Sequence, residues 1–409
     1  FNPCKMQGRI KLLGFVCCLF SLQMIIYRVH TDLPTARGQV EAVPHEESIM
    51  IRSDIDSDFP TAGGQFEAAP HEESIMIRSD INSSQKLDTQ GTVCDMLDFP
   101  AVKSRSTAPV NFISRSAPAH TLVVLAYFLD DLGRDNLQFF LAQGLVPESS
   151  YHFVVVINGD VSEIWTARLH RIAESYPNFE WYSRENVGYD FCAYKDALSK
   201  RTLKVSIKDI QYFVLINKSM RGPFLPSYYD KPWPEVFTSR LHGDIKLSGT
   251  TINCGNPDGN QDTSWITMHV QSMLWAFRAN LLPELVGRLQ CHADKGEAIR
   301  SIEVGFPAAL LARGFRLAST MRMLDAREGV PDANTAAICA WAKGLRSVET
   351  YGDSFLPGQY AGIDLSPLET VFFKANRGVG DAVLRQHTAF ALMNRNFTAS
   401  AALVCGAPA

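Results

Sequence analysis

YHFVVVINGD, Tyr151 to Asp160, is the stretch on which the fold turns: a run of β-branched and aromatic residues followed by an Asn-Gly-Asp turn. A short apolar run without polar alternation predicts a strand buried on both faces. Two similar runs flank it, TLVVLAYF at Thr121 to Phe128 and YFVLI at Tyr212 to Ile216, with a shorter one at Phe179 to Tyr182. Between them the spacing predicts helices over Asp135 to Ala142, Ser162 to Tyr176 and Phe191 to Ser199; in the second, Ile164, Leu169, Ile172 and Ala173 share one side. Strands that alternate with helices imply right-handed crossovers and a largely parallel sheet, an α/β fold. Further on, Asp244 to Asn253 and His269 to Phe277 read as strands, Leu281 to Leu289 as a helix, and Glu297 to Arg313 as largely helical. Gly314 is a stop signal, and Phe315 to Ala318 reads as a strand.

Ligands of such sheets bind beyond the carboxyl ends of the strands. The second strand is followed by Asn158, Gly159 and Asp160. After the third come Glu185, Asn186, Val187, Gly188, Tyr189 and Asp190, and after the fourth Asn217, Lys218 and Ser219, then Arg221-Gly222-Pro223. Singly, each is ordinary turn and cap chemistry. Together on one sheet edge they point to a site for the base and ribose of a nucleotide, with Gly188 allowing close backbone approach.

This succession, with Asn-Val-Gly-Tyr-Asp at Asn186 to Asp190 and Asn-Lys-Ser before Arg221-Gly222-Pro223-Phe224, resembles the first half of a GT-A nucleotide-sugar glycosyltransferase. It is similar to family 2 enzymes and to rhamnan-synthesis-F-like proteins. The resemblance covers about Thr121 to Arg377. It implies a GT-A-like (Rossmann-like), mostly parallel sheet flanked by helices, and transfer of a sugar from a nucleotide-sugar donor to a glycan or glycoprotein, with inversion. It also implies that Asn158, Asp160, Asn186, Gly188 and Asp190 hold the nucleoside and that Asn217, Lys218, Ser219 and Arg221 hold the diphosphate.

One departure concerns the metal. GT-A enzymes usually carry Asp-x-Asp after the fourth strand, whose carboxylates coordinate Mn²⁺ or Mg²⁺; hard cations prefer such ligands. Here the position reads Asn217-Lys218-Ser219, with neutral oxygens and a cation. The expectation is weak metal dependence or none, with Lys218 and Arg221 balancing the diphosphate charge directly. No metal ligand is assigned. The same departure favours an alternative, a catalytically inactive domain that binds glycans or serves as a scaffold. Asn217 also begins an Asn-Lys-Ser glycosylation pattern; if it lines a donor pocket it carries no glycan.

The second half supplies the remaining candidates. Glu303, in the Ile-Glu-Val-Gly segment, matches by position the acidic residue that inverting GT-A enzymes use as general base; the alternative is a carboxylate placed to suit the helix dipole. In the apolar run from Pro367 to Arg377, Lys374 and Arg377 are expected to reach the donor phosphates or to form a solvated edge. His269 is either an acceptor-orienting residue or a satisfied histidine. Trp233, Trp265 and Trp275 are candidates to stack on a sugar, Trp275 more naturally in the core. Asp325, Asp332 and Asp364 have no identifiable partner.

Upstream, Ile10 to Tyr27 reads IKLLGFVCCLFSLQMIIY, with Lys5, Arg9 and Lys11 at its N-terminal side. It is close to the ~17 residues that a helix needs to cross the hydrocarbon layer, and the charge asymmetry keeps the N-terminus cytoplasmic. A cleaved signal peptide is the rival reading, with a poor cleavage site. The expected organisation is a cytoplasmic tail (1–9), a signal anchor (10–27), a flexible stem (28–118) and a lumenal domain (119–409), in a Golgi or ER membrane. The stem holds a tandem repeat, Asp32 to Ile55 recurring as Asp58 to Ile81. Two Pro-, Gly- and acid-rich copies are too few for a solenoid and suit a spacer. Six cysteines beyond the apolar segment (Cys94, Cys192, Cys254, Cys291, Cys339, Cys405) allow several disulfide pairings.

Composition sets the outer bounds. With 409 residues, 46% hydrophobic and 20% charged, the chain can bury a core. A net charge of −4 provides no global basic field, so nucleic acid is not an expected partner.

Overall fold

The computed structural model describes residues 113, 120–199, 203–255, 265–324, 339, 353–360, 362–377 and 381–394. The tail, apolar segment, repeated stem, Asp325 and Asp332 lie outside the described residues. Among the described residues, no helix is long and apolar enough to cross a membrane.

A seven-stranded sheet organises the domain, in the order β10 (Arg316–Ser319), β6 (Ile245–Gly249), β9 (Leu274–Arg278), β4 (Tyr212–Asn217), β1 (Thr121–Tyr127), β2 (Tyr151–Asn158), β3 (Phe179–Arg184). Its first half is β1 (Thr121–Tyr127), α1 (Asp131–Gln143), β2 (Tyr151–Asn158), α2 (Glu163–Ser175), β3 (Phe179–Arg184), α3 (Tyr189–Ser199) and β4 (Tyr212–Asn217). β1 lies parallel to both β2 and β4, and β2 to β3. Every residue of β1 and β2 is buried, as their unbroken apolar runs demand, whereas β3 at the sheet edge is only partly covered. α1 and α2 start where the side chains of Asp130 and Ser162 accept an amide hydrogen from Gly133 and Trp165.

The chain moves outward from β1 through β2 to β3, then returns to lay β4 on the other side of β1. The sheet therefore has its switch point between β1 and β4, where a crevice opens at the carboxyl edge. β5 (Met220–Arg221) follows immediately, and α4 (Pro234–Thr238) leads to β6 (Ile245–Gly249).

The run Asp244 to Asn253 is not one strand. β6 ends at Gly249, and Ile252–Asn253 forms a separate β7. A Cβ on Gly249 would stand 2.4 Å from both the Leu274 carbonyl oxygen and Val270 Cγ1, so only glycine admits the crossing there. His269 to Phe277 divides likewise into β8 (His269–Val270), paired with β7, and β9 (Leu274–Arg278), which runs antiparallel between β4 and β6.

α5 (Leu282–Arg288) precedes a continuous helical stretch: α6 (Lys295–Ala298), a π-helical turn at Ile299–Val304 and α7 (Gly305–Leu311). β10 (Arg316–Ser319) then pairs in parallel with β6. The segment from Pro367 begins not as a strand but as α8 (Pro367–Thr370), because Pro367 occupies the first helical turn and Ser366 caps it. Only Phe373–Lys374 is strand, β11, antiparallel to β5. α9 (Asp381–Asn394) closes the described chain.

Among the described residues, disulfides join Cys192 to Cys291 and Cys254 to Cys339. Trp233 and Trp275 are core residues. Trp275 donates to the Val270 carbonyl. Trp233 is 1% exposed, donates to the Gly144 carbonyl at 2.7 Å, and meets Phe140, Phe237 and Phe372. Trp265 instead lies under the Arg300 guanidinium, 4.9 Å from its ring centre. Replacing Trp233 with Ala removes a buried ring and strands that carbonyl. It is expected to cost ~3–5 kcal/mol in denaturant unfolding; a negligible loss would contradict this packing.

Candidate functional site

A cavity of about 610 Å³ opens at the switch point, a size suited to a small-molecule site. Its walls come from the ends of β1 and β4, the loop before α3, the β8–β9 turn, the π-helical turn and the segment after β11. Asn158, Asn186, Asp190, Asn217, Lys218, Ser219, His269, Glu303, Lys374 and Arg377 all line it.

Three expected residues do not. Asp160 is exposed beyond β2, outside the lining. Gly188 has φ +74°, but the close approach that it permits is to the Cys192–Cys291 disulfide: a Cβ would lie 2.7 Å from Cys192 Cβ and 2.8 Å from Cys291 Cα. Arg221 is buried against α1, where its Nε donates to Asn136 Oδ1 at 2.8 Å and its guanidinium lies 3.7 Å from Asp135. Its charge is used inside the fold. Asp364 also has a partner, accepting from the Gly358 amide.

Asn217 organises the end of β4. Its Nδ2 donates to Asp190 Oδ2 at 2.8 Å, and its Oδ1 accepts from the amide and hydroxyl of Ser219 at 3.1 and 2.6 Å. Asp190 is half-buried at the start of α3. Desolvation raises its pKa and the nearby Glu303 carboxylate adds to the rise, opposed by the bond from Asn217. Asn158 accepts from Arg184 at 2.6 Å. Lys218 pairs with Asp130 and lies 5.3 Å from the ring centre of Phe128.

Opposite stands Glu303, on the π-helical turn. Such turns redirect side chains and recur at functional sites. Its Oε1 accepts from the Ser272 amide at 3.2 Å and lies 3.9 Å from His269 Nε2, whose other ring nitrogen is 2.6 Å from the Thr267 carbonyl oxygen. His269 is thus a buried histidine with a backbone partner that also faces the cavity.

β11 brings in the third wall. Ala375 N donates to the Ser219 carbonyl at 2.8 Å, pinning this segment beside the end of β4. There Lys374 Nζ is 3.1 Å from Asp353 Oδ2, and Arg377 bonds the same oxygen. Gln271 Nε2 donates to Asp353 Oδ1 at 3.1 Å. Burial alone would raise the Asp353 pKa, but Lys374 and Arg377 outweigh it and hold the carboxyl below its ordinary range.

Sequence reasoning missed several lining residues. Phe128 follows β1, and its half-exposed ring sits beside Gly159. An aromatic ending the first buried run was its signal. Gln271 and Ser272 were hidden inside a run read as continuous strand, and nothing in the chain near Asp353 announces its partners.

A divalent ion does not fit at the end of β4. The Asn217 oxygen is already engaged by Ser219, and the Lys218 ammonium, paired with Asp130, lines the same cavity. Among the described residues, no group of three or more His, Cys, Asp or Glu side chains has a metal-binding arrangement.

No curated protein matches the chain. Among solved structures, it is similar to the mannosyltransferase PcManGT from Pyrobaculum calidifontis, in complex with GDP-Man and Mn²⁺. The identity is 15% over 74% of this chain and 80% of that one, at a TM-score of 0.33, too slight to carry an argument. Residues 153–335, from β2 past β10 and including Asn217 and Glu303, match the family described as rhamnan synthesis protein F. The match spans a little under half of the chain and is a similarity to that family, in line with the glycosyltransferase resemblance of the strand-end motifs.

Proposed function

We propose that the domain transfers a sugar, with inversion, from a nucleotide-sugar donor to a glycan or glycoprotein acceptor. The observation that carries this reading is the placing of Glu303 in the same cavity as the switch-point residues of β1 and β4. Phe128 offers a face for the base, and Asn158, Asn186 and Asp190 offer polar partners to base and ribose. Ser219, Lys218, Lys374 and Arg377 face the diphosphate. The acceptor hydroxyl enters near His269 and attacks the anomeric carbon from the side opposite the diphosphate. Its proton passes to Glu303, the bond from the anomeric carbon to the diphosphate oxygen breaks, and the nucleoside diphosphate leaves. Ser272 N–H fixes the carboxylate that receives the proton.

A Golgi or ER lumenal location on a single N-terminal anchor accords with the two disulfides, which persist in oxidising compartments. Asn217, bonded to Asp190 within the cavity wall, is a poor glycan acceptor. The alternative, a catalytically silent glycan-binding domain, draws on the missing Asp-x-Asp; purified protein that binds a glycan but never consumes any nucleotide sugar would favour it.

Glu303→Gln is expected to lower turnover by ~10²–10⁴-fold while nucleoside diphosphate binding, measured calorimetrically, is retained. Unchanged turnover would remove Glu303 from its role. Because the β4 end lacks carboxylates, turnover is expected to survive exhaustive dialysis against EDTA. Complete loss, restored by Mn²⁺, would show that other groups assemble a metal site.

A further inference from the structure

The corner formed by Lys374, Arg377, Gln271 and Asp353 contains its own anion. Asp353 is largely buried, with 11% of its side chain exposed, and both oxygens are engaged. Oδ2 takes the two cations, and Oδ1 accepts from Gln271 Nε2 at 3.1 Å and from the Phe355 amide at 3.2 Å. Two full positive charges thus face one carboxylate, leaving a surplus of about one positive charge inside a concave wall of low dielectric.

The corner is also built rather than incidental. β11 is held to β5, and Ala375 to Ser219, so Lys374 is carried to the end of β4 by backbone bonds. Gln271 is fixed from behind, its own Oε1 accepting from the Thr251 hydroxyl at 2.7 Å and its amide donating to the Thr251 carbonyl. The next residue, Ser272, donates its amide to Glu303. One turn therefore touches both the corner and the carboxylate assigned to proton removal.

We propose that Asp353 is an internal stand-in for the donor's diphosphate: the diphosphate displaces its carboxylate from Lys374 and Arg377, and the carboxylate returns when the nucleoside diphosphate leaves. This rests on the reading of the cavity as a nucleotide-sugar site and adds to it a competing anion. A diphosphate brings more charge and more acceptor oxygens than one carboxylate, so it matches two cations better. The two anions repel each other if both remain. In the empty site Asp353 spares two cations from being left unpaired in a half-buried wall. Its return during product release lowers the affinity for a leaving group that would otherwise linger.

The test uses inorganic pyrophosphate, which probes the corner without requiring recognition of base or sugar. Calorimetric titration of the full-length protein compares wild type, Asp353→Asn, Lys374→Gln and the double variant, with a thermal melt of each to verify folding. Asp353→Asn is expected to bind pyrophosphate at least ~10-fold more tightly than wild type, and the gain should vanish in the double variant. If Asp353 merely held the two cations in place, Asp353→Asn would bind pyrophosphate equally or more weakly. That result overturns the proposal, as does a gain that persists without Lys374 or an absence of binding in every form. Asp353→Ser removes the same charge and replaces the amide variant should the latter not fold. Failure of the wider reading is distinct: the pyrophosphate pattern would hold while no nucleotide sugar is bound or consumed.

Discussion

The bond from Asn217 to Asp190 is the interaction on which the site depends. It joins the last residue of the fourth strand to the first turn of α3, across the switch point of the sheet, inside a wall where an unpaired carboxyl would be costly. One carboxamide satisfies a half-buried acid with its nitrogen and shapes the following turn with its oxygen. An aspartate there would present two anionic groups to each other, and neither Ser219 nor Lys218 could offset both. The neutral residue at this strand end is therefore part of a consistent electrostatic arrangement. The nearby acid sits at the start of α3, and the end of β4 itself carries the neutral Asn217 and Ser219 on either side of Lys218.

Around that bond the cavity groups its charges by wall, apart from Lys295 on the helical stretch and Asp353 held between two cations. The acids Asp190 and Glu303 face it from α3 and the π-helical turn, and the cations Lys374 and Arg377 from the segment tied to Ser219. Lys218 and Phe128 lie together near the β1 end. A substrate with an anionic end and a hydroxyl to be deprotonated would lie across this gradient with each end near its complement. With a protein net charge of −4, attraction of an anion falls to these few local cations.

Much of this was legible in the chain because burial on both faces leaves a plain record. The runs at Thr121, Tyr151 and Tyr212 became β1, β2 and β4 within a residue or two, and parallel pairing follows from the helices between them. Polar residues after those strands therefore had to share an edge. What escaped were features set by distant contacts. The breaks in β6–β7 and β8–β9 arise where Gly249 passes the Leu274 carbonyl, a crossing that no local propensity encodes. Arg221 lies three residues beyond Lys218 and reads with it as a diphosphate partner, yet α1 claims it because Asn136 and Asp135 lie opposite. Asp353 is about twenty residues from Lys374 and Arg377, and only the fold makes them neighbours. Gly188 reads as a point of close approach for a nucleotide, and what approaches it is the protein's own disulfide.

That disulfide has a consequence for how the site is made. Cys192 and Cys291 are 99 residues apart, one beside the loop that carries Asn186, the other just before the helical stretch that carries Glu303. Closing so long a loop restrains the unfolded chain by ~4–5 kcal/mol in the entropic account, but only after both halves have been synthesised and oxidised. The two sides of the cavity thus acquire a covalent tie late, as a product of maturation. A chain produced under reducing conditions would contain every residue of the site and still lack the link that holds its two walls in register.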